Sequence, residues 1–285
     1  MPRLRRILFP IDYSGRSIAA ARRVRTLAER FHSEVVLLHV QAPLPAHLAA
    51  FDLTSLFPES RAASSERARR ELRDFLGAEL AEFDVLRILA EGSPADLILQ
   101  HAEALAADLI VMPTRGLDVF RRYLAGSVTA RVLHRAGIPV WTGDAGPSFC
   151  RRIEHITCAV DLGPQSVNTV TWASDLADQL DACVTLVHVA PVLKQILGRR
   201  FDSGWRRSLV AWASERLGKV QQTANTDWDM HIEIGDPIKG VLRAASTLRS
   251  DLLVIGRSRQ KALMPMLRAH TYAIAGQSPC PVVTV

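Results

Sequence analysis

The chain has 285 residues, 48% of them hydrophobic, and a formal net charge of +6. That length suits two domains with cores of their own. No apolar stretch reaches the roughly 18 residues needed to cross a membrane, and no basic run is interleaved with aromatics as in a nucleic-acid interface. The surplus of arginine reads as a solvated surface. The opening Met-Pro-Arg-Leu-Arg-Arg lacks an apolar signal core, and Cys150, Cys158, Cys183 and Cys280 show no metal-type spacing. The expectation is a cytoplasmic protein with buried free thiols at Cys158, Cys183 and Cys280, no bound metal and no nucleic-acid or membrane partner.

Residues 7–11 form a short apolar run ending at Asp12, the pattern of a buried strand. Ser14-Gly15 marks a turn, and Ser17 is read as the cap of a helix over 18–31, where Ile18, Ala21, Val24, Ala28 and Phe31 share one face. A second buried strand covers 35–40. Residues 43–60 contain Pro43, Pro45 and Pro58 and read as irregular, before a helix over 64–83. A strand over 85–90 leads through Glu91-Gly92-Ser93-Pro94 into another helix, since proline suits the first helical turn. A strand over 108–112, a helix over 127–136 stopped by Gly137, and a strand over 138–142 follow. After a turn-rich linker at 143–148, the second half is predicted as strand 153–160, helix 166–180, strand 183–189, helix 204–223 and strand 228–234. Helix 237–248, strand 251–256, helix 270–276 and strand 281–285 complete it. Trp205 and Trp212, seven apart on one helix, are read as packing against the neighbouring domain or a partner chain.

The two halves repeat each other. Ile7-Leu8-Phe9-Pro10-Ile11-Asp12 returns as Ile156-Thr157-Cys158-Ala159-Val160-Asp161, and Leu37-Leu38-His39-Val40 as Leu186-Val187-His188-Val189. Both pairs share one offset of 149 (161 − 12 and 188 − 39). Asp108-Leu109-Ile110-Val111 and Gly92 return at an offset of 143, as Asp251-Leu252-Leu253-Val254 and Gly235. A repeat this long is a duplicated domain. Continuous apolar strands alternating with amphipathic helices describe parallel sheets covered on both faces. The expected fold is therefore two tandem, doubly wound α/β domains with five-stranded parallel sheets, residues 1–145 and 149–285, packed as an internal pseudo-dimer.

In an open parallel sheet, ligands sit beyond the carboxyl ends of the strands. Asp12, Val40 and Gly116 project there. After the fourth strand the chain reads Met112-Pro113-Thr114-Arg115-Gly116, then nine residues, then Gly126-Ser127 at the start of a helix. Glycines let the main chain approach a ligand, and a helix N-terminus offers free amides and a positive dipole end to a phosphate. Turn glycines and an N-cap serine explain the same residues structurally, and both readings stay open on the residues alone. His39 and His188 close apolar strands and are read as satisfied by the main chain. Asp12 and Asp161 are split between capping the next turn and bonding a ligand.

These features together resemble the universal stress protein family in its tandem form. The resemblance rests on Pro10-Ile11-Asp12-Tyr13-Ser14, Leu38-His39-Val40, Glu91-Gly92-Ser93-Pro94 and Gly137-Ile138-Pro139-Val140, and covers nearly the whole chain. Nucleotide-binding members carry G-x2-G-x9-G-[ST] after the fourth strand. Gly116, Gly126 and Ser127 match its last three key positions, while Pro113 replaces the first glycine. The resemblance implies a Rossmann-like, adenine-nucleotide-binding fold with ATP as the ligand, with or without magnesium. It places Pro10, Asp12 and the Val40 main chain on the adenine and ribose side, and Pro113, Arg115, Gly116, Gly126, Ser127 and Val128 around the phosphates. In the second repeat Gly256 keeps the first key position, but Arg259, Ala269 and His270 replace the others. Two readings of that copy stay open: a degenerate loop kept for packing, or a different anion held near Asp161, Val189, Gly256, Arg257, Arg259, Lys261 and His270.

No nucleophile elbow, Cys–His–Asn set or Walker loop is present, and no acid–base pair can be assigned, so no catalytic residue is expected. The implied role is a cytoplasmic stress-response module regulated by nucleotide occupancy. The alternatives are a scaffold that acts through protein partners without nucleotide, or a binder of another small ligand in the second domain. The apolar Val282-Val283-Thr284-Val285 leaves a homodimer through the last strand open.

Overall fold

A computed structural model describes residues 4–41, 58–113, 127–143, 152–191, 203–257 and 266–285. The chain divides into two compact units, one ending at residue 138 and the other containing residues 139–285. The first holds β1 (Arg6–Ile11), α1 (Gly15–Phe31), β2 (Glu34–Gln41), α2 (Pro58–Asp74), β3 (Val85–Glu91), α3 (Pro94–Ala104), β4 (Leu109–Pro113) and α4 (Ser127–Arg135). Its strands are parallel in the order β3-β2-β1-β4. Right-handed crossovers that run one way along the sheet and then the other put α1 and α2 on one face and α3 on the opposite one. The order reverses between β1 and β4, and a crevice opens beyond strand ends at such a point.

The second unit holds β5 (Val140–Gly143), β6 (His155–Ala159), α5 (Ser166–Leu180), β7 (Cys183–Pro191), α6 (Ser203–Ala224), β8 (Asp229–Gly235), α7 (Pro237–Thr247), β9 (Leu252–Ile255), α8 (Met266–Gln277) and β10 (Val282–Thr284). The order is β5-β10-β9-β6-β7-β8. All neighbours are parallel except β5, which runs antiparallel to β10 with Val283 opposite Trp141. The last strand of the first repeat thus extends the sheet of the second unit. Val140, Trp141, Val282 and Val283 are buried there. β10 lies between β9 and β5, so both of its edges are paired within the chain.

The apolar runs are strands covered on both faces. Ile7, Leu8, Phe9, Val35, Leu37, Leu38 and Leu109 to Val111 are fully buried, as are Ile156, Cys158, Leu186 and Leu252 to Val254. Each large side chain so buried contributes about 1.5–3 kcal/mol. The repeated aspartates at 108 and 251 tie down strand entries: Asp108 Oδ2 accepts the Arg6 amide at 2.9 Å, and Asp251 Oδ2 accepts the amides of Glu154 and His155. The predicted elements hold with shifts of a few residues, with one larger correction. α2 begins at Pro58, inside the segment read as irregular, and ends at Asp74 rather than running to 83. Leu76 is left-handed at φ 56° and Gly77 bonds back to the Asp74 carbonyl, which turns the chain out of the helix. Cys158 and Cys280 are buried, and burial pushes their thiols up to about 12 and about 11. Cys183, expected inside, is exposed at the start of β7.

Gly92 and Gly235 occupy the same turn in the two repeats, at φ 149° and 157°, ahead of Pro94 and Pro237. In the second repeat the Asp236 side chain caps α7 by accepting the Lys239 amide at 2.9 Å. One turn in, Gly240 lets α7 lie directly on β7: an added Cβ would sit 2.6 Å from Val189 Cγ1 and 2.8 Å from Cγ2. Alanine gains about 1 kcal/mol of helix propensity over glycine. Overpacking against a stiff β-branched side chain costs about 1–3 kcal/mol. Gly240→Ala is therefore expected to lose up to about 2 kcal/mol net in urea unfolding. In a Val189→Ala background, itself destabilised, Gly240→Ala should lose little further, which a double-mutant cycle would read.

Candidate functional site

The crevice of the first unit is built around Asp12, the residue after β1. Its Oδ1 accepts the Ser14 amide at 3.1 Å, the Ser14 hydroxyl at 2.5 Å and the Ser17 hydroxyl at 2.8 Å. Ser17 Oγ, fully buried, also accepts the Asp12 amide at 3.3 Å. Ser14, not Ser17, is the N-cap of α1, and it takes the Ser17 amide. Partial burial raises the Asp12 pKa, but the hydrogen bonds from Ser14 and Ser17 outweigh it and hold the carboxyl below its ordinary value. Oδ1 is thus spent on the turn, while Oδ2 takes no donor among the described residues, and Asp12 as a whole is exposed.

Pro10 shapes the crevice beside it. The β1–β2 ladder passes the proline and continues to Ile11↔His39. The β1–β4 ladder is registered at Ile7↔Leu109 and Leu8↔Ile110 and stops. In the second repeat the equivalent β6–β9 ladder runs two residues further, through Cys158↔Val254 to Ala159↔Ile255. Ala159 stands where the first repeat has Pro10 (159 − 149). A proline has no amide hydrogen for the ladder, so the hydrogen-bonded register of β1 and β4 ends early, at the point where the strand order reverses.

The floor of the crevice contains a residue that sequence reasoning did not single out. Tyr13 is left-handed at φ 58°, as is its counterpart Leu162 at 60°. That conformation aims its ring at His39, 4.2 Å between centroids, and edge-on at Phe75, 5.0 Å away. Burial and the Glu71 charge push its phenol up to about 12, and its buried hydroxyl has no hydrogen-bond partner among the described residues. The available signal was positional, since a non-glycine residue sits at the tight Asp turn in both repeats. His39 Nδ1 bonds the Ile11 carbonyl at 3.0 Å and His188 Nδ1 the Val160 carbonyl at 2.9 Å, as expected of strand-end histidines. Burial lowers the His188 pKa against smaller upward pulls from the Val160 carbonyl and Asp161.

The remaining candidates gather at the same end of the sheet. Val40 is half-buried near the end of β2, Pro113 ends β4, and Ser127 and Val128 open α4. Arg115, Gly116 and Gly126 lie outside the described residues.

The family model described as the universal stress protein family matches this chain twice, at residues 3–142 and 152–285. The chain belongs to the universal stress protein family. It is 33% identical over 137 residues to a universal stress protein of Methanocaldococcus jannaschii, covering 48% of this chain and 79% of that one. A universal stress protein of Mycolicibacterium smegmatis is 23% identical over 287 residues, covering 98% and 96% of the two chains. The solved structure of a universal stress protein from Archaeoglobus fulgidus shares the tandem fold, with a TM-score of 0.70 at 18% identity, covering 99% of this chain and 96% of that one.

The second repeat of this universal stress protein is packed differently at the equivalent place. Asp161 Oδ1 accepts the Gly163 amide at 2.8 Å and the Ser166 hydroxyl at 3.4 Å, which repeats the turn but with a weaker hydroxyl contact. Val189 is buried, where Val40 is half-buried. A Cβ on Gly256 would meet Thr169 Oγ1 at 2.7 Å, so helix packing alone requires that glycine. The first repeat has buried Ala20 at the position of Thr169 (169 − 149), and there the glycine gives way to Pro113. Arg257 is buried, and its amide continues the sheet by bonding the Val285 carbonyl at 2.8 Å. His270 lies in α8, and Arg259 and Lys261 fall outside the described residues.

Ser17 is the residue on which the Asp12 turn closes, because its hydroxyl both donates to the carboxylate and accepts the amide. Ser17→Ala is expected to cost about 1–3 kcal/mol, the penalty for orphaning buried hydrogen-bonding groups. It should also move the Asp12 pKa upward in a carboxyl NMR titration. A lowered native pKa contributes stability above the unfolded value of about 3.9, lost as pH falls through the native one. The carboxylate-dependent part of the Ser17→Ala penalty should therefore shrink below about pH 4.

Proposed function

We propose that this universal stress protein binds an adenine nucleotide of the ATP type in the crevice of its first repeat, and acts as a regulatory module read through occupancy. The observation that carries the reading is that the β1–β4 register ends at Leu8, two residues short of its counterpart in the second repeat, where the strand order reverses. The residues present suit such a ligand. Asp12 Oδ2 is a charged acceptor suited to ribose hydroxyls, beside the Val40 main chain at the adenine side. Gly116, Gly126, Ser127 and Val128, with Pro113 and Arg115 beside them, are the set for the phosphates, at a helix N-terminus that favours anions. A bound triphosphate supplies charge and its own magnesium, and this chain's residues bind and orient it. No acid–base pair is assigned, so the reading is one of binding rather than turnover. It takes the repeats as residues 1–145 and 149–285, and the setting as the cytoplasm. Among the described residues no helix is long and apolar enough to cross a membrane.

Pro113 favours a second reading, a scaffold acting through protein partners without nucleotide. It ends β4 where nucleotide-binding members have glycine, and a proline offers neither an amide donor nor a positive φ.

Mass spectrometry of small molecules released on denaturing the purified protein separates the two. Near-stoichiometric adenine nucleotide, and an upward shift in melting temperature with added ATP, are the expected results. Gly126→Leu should weaken ATP more than about tenfold, roughly 1.4 kcal/mol, with unchanged circular dichroism, while Ala269→Leu in the second repeat leaves the affinity intact. Unchanged affinity in Gly126→Leu would remove the phosphate site. No released nucleotide and no thermal shift would leave the scaffold reading standing.

A further inference from the structure

The sheet of the second unit ends at β8, and no described strand pairs with its outer edge. The path from β7 to β8 and the path back from β8 to β9 run in opposite directions, so α6 and α7 cover opposite faces of the sheet. A groove of about 550 Å³ wraps this edge and takes its lining from both helices. Ile232, Glu233 and Ile234 form the floor, Arg206, Arg207 and Val210 of α6 one wall, and Arg243 of α7 the other.

The two walls differ in charge balance. Glu233 is reached by Arg243 and by His231, each at 3.3 Å, so the cation on the α7 side is matched. Side chains alternate along a strand, which turns Ile232 and Ile234 toward α6. There Arg206 and Arg207 are exposed and make no ion pair among the described residues. Exposed apolar surface accompanies them, with Val210 at 37% and Met230 at 44%. The α6 side therefore combines unpaired main-chain groups, a double positive charge and apolar contact area.

We infer that the β8 edge accepts an extended acidic segment of a partner protein as an added strand, with alternate acidic side chains set against Arg206 and Arg207. A row of free strand amides and carbonyls is matched by another strand, since main-chain bonds supply affinity and alternate side chains supply selectivity. The charge on the α6 wall selects the acidic partner. Charged residues also guard sheet edges against unwanted pairing, and that role predicts no strand partner at all.

The test uses the full chain and a fluorescein-labelled eight-residue peptide alternating Glu and Val, with a Lys/Val peptide of equal length as control. Fluorescence anisotropy should show saturable binding of the Glu/Val peptide alone, weakening as salt rises. Hydrogen exchange should slow at amides 232–234 on binding. The double variant R206E/R207E changes two exposed helix positions and should retain the native melting temperature. Its affinity should fall at least about tenfold through like-charge contact. If it fails to fold, R206Q/R207Q replaces it, with a smaller loss in the same direction. The inference is overturned by absent binding at roughly millimolar peptide, by equal binding of both peptides, or by binding that leaves amides 232–234 or the arginine variants unaffected. Binding of inorganic tripolyphosphate with none of the Glu/Val peptide would equally overturn it, in favour of a simple anion site.

Discussion

One missing amide hydrogen governs the difference between the two halves of this protein. Parallel strands stay together through evenly spaced main-chain bonds, and Pro10 cannot supply one of them. Its sequence equivalent Ala159 can, and β6 stays joined to β9 for two further residues. The proline sits where the strand order reverses, so the register ends at the place where this architecture holds ligands.

Around it, each repeat balances helix packing against loop chemistry. In the second, Thr169 leaves no room for a side chain at residue 256, and Val189 leaves none at 240. Those glycines answer to steric contact. In the first, Ala20 takes the place of Thr169, and the requirement for glycine after β4 lapses. A motif glycine can thus survive for packing in the copy that has lost the rest of the motif. It can be replaced in the copy that kept it. The Asp turn is common to both because its bonds are local: a left-handed residue, a carboxylate and a buried serine close it in either half.

The sheet edges of the second unit are treated in opposite ways. β10 is enclosed by β9 and by the antiparallel β5, so the apolar strand near the chain end is consumed within the molecule. β8 instead pairs on one edge alone among the described residues, and it is flanked by arginines on both helical layers. An edge of this kind either repels other strands or selects one, and the charge imbalance on the α6 side makes acidic strands the ones it would select. Trp212 is 46% exposed on the same helix, with the Arg216 guanidinium 5.2 Å from its ring centre.

The sequence by itself determined the duplication, the alternation of strands and helices, the parallel sheets and the end of the sheet where Asp12, Val40, Pro113 and Ser127 meet. Those features follow from hydrophobic period and turn chemistry, which act over a few residues and can be read in order along the chain. Only the tertiary structure decided which partner each strand edge takes. It showed that β5 joins β10, that the β1–β4 ladder ends at Leu8, and that Gly256 answers to Thr169 across 87 positions (256 − 169). It also placed Tyr13 on His39, through a left-handed turn that residue types alone did not require. Such facts depend on contacts between segments remote in the chain, where register and steric fit are set by both partners and neither sequence carries them alone.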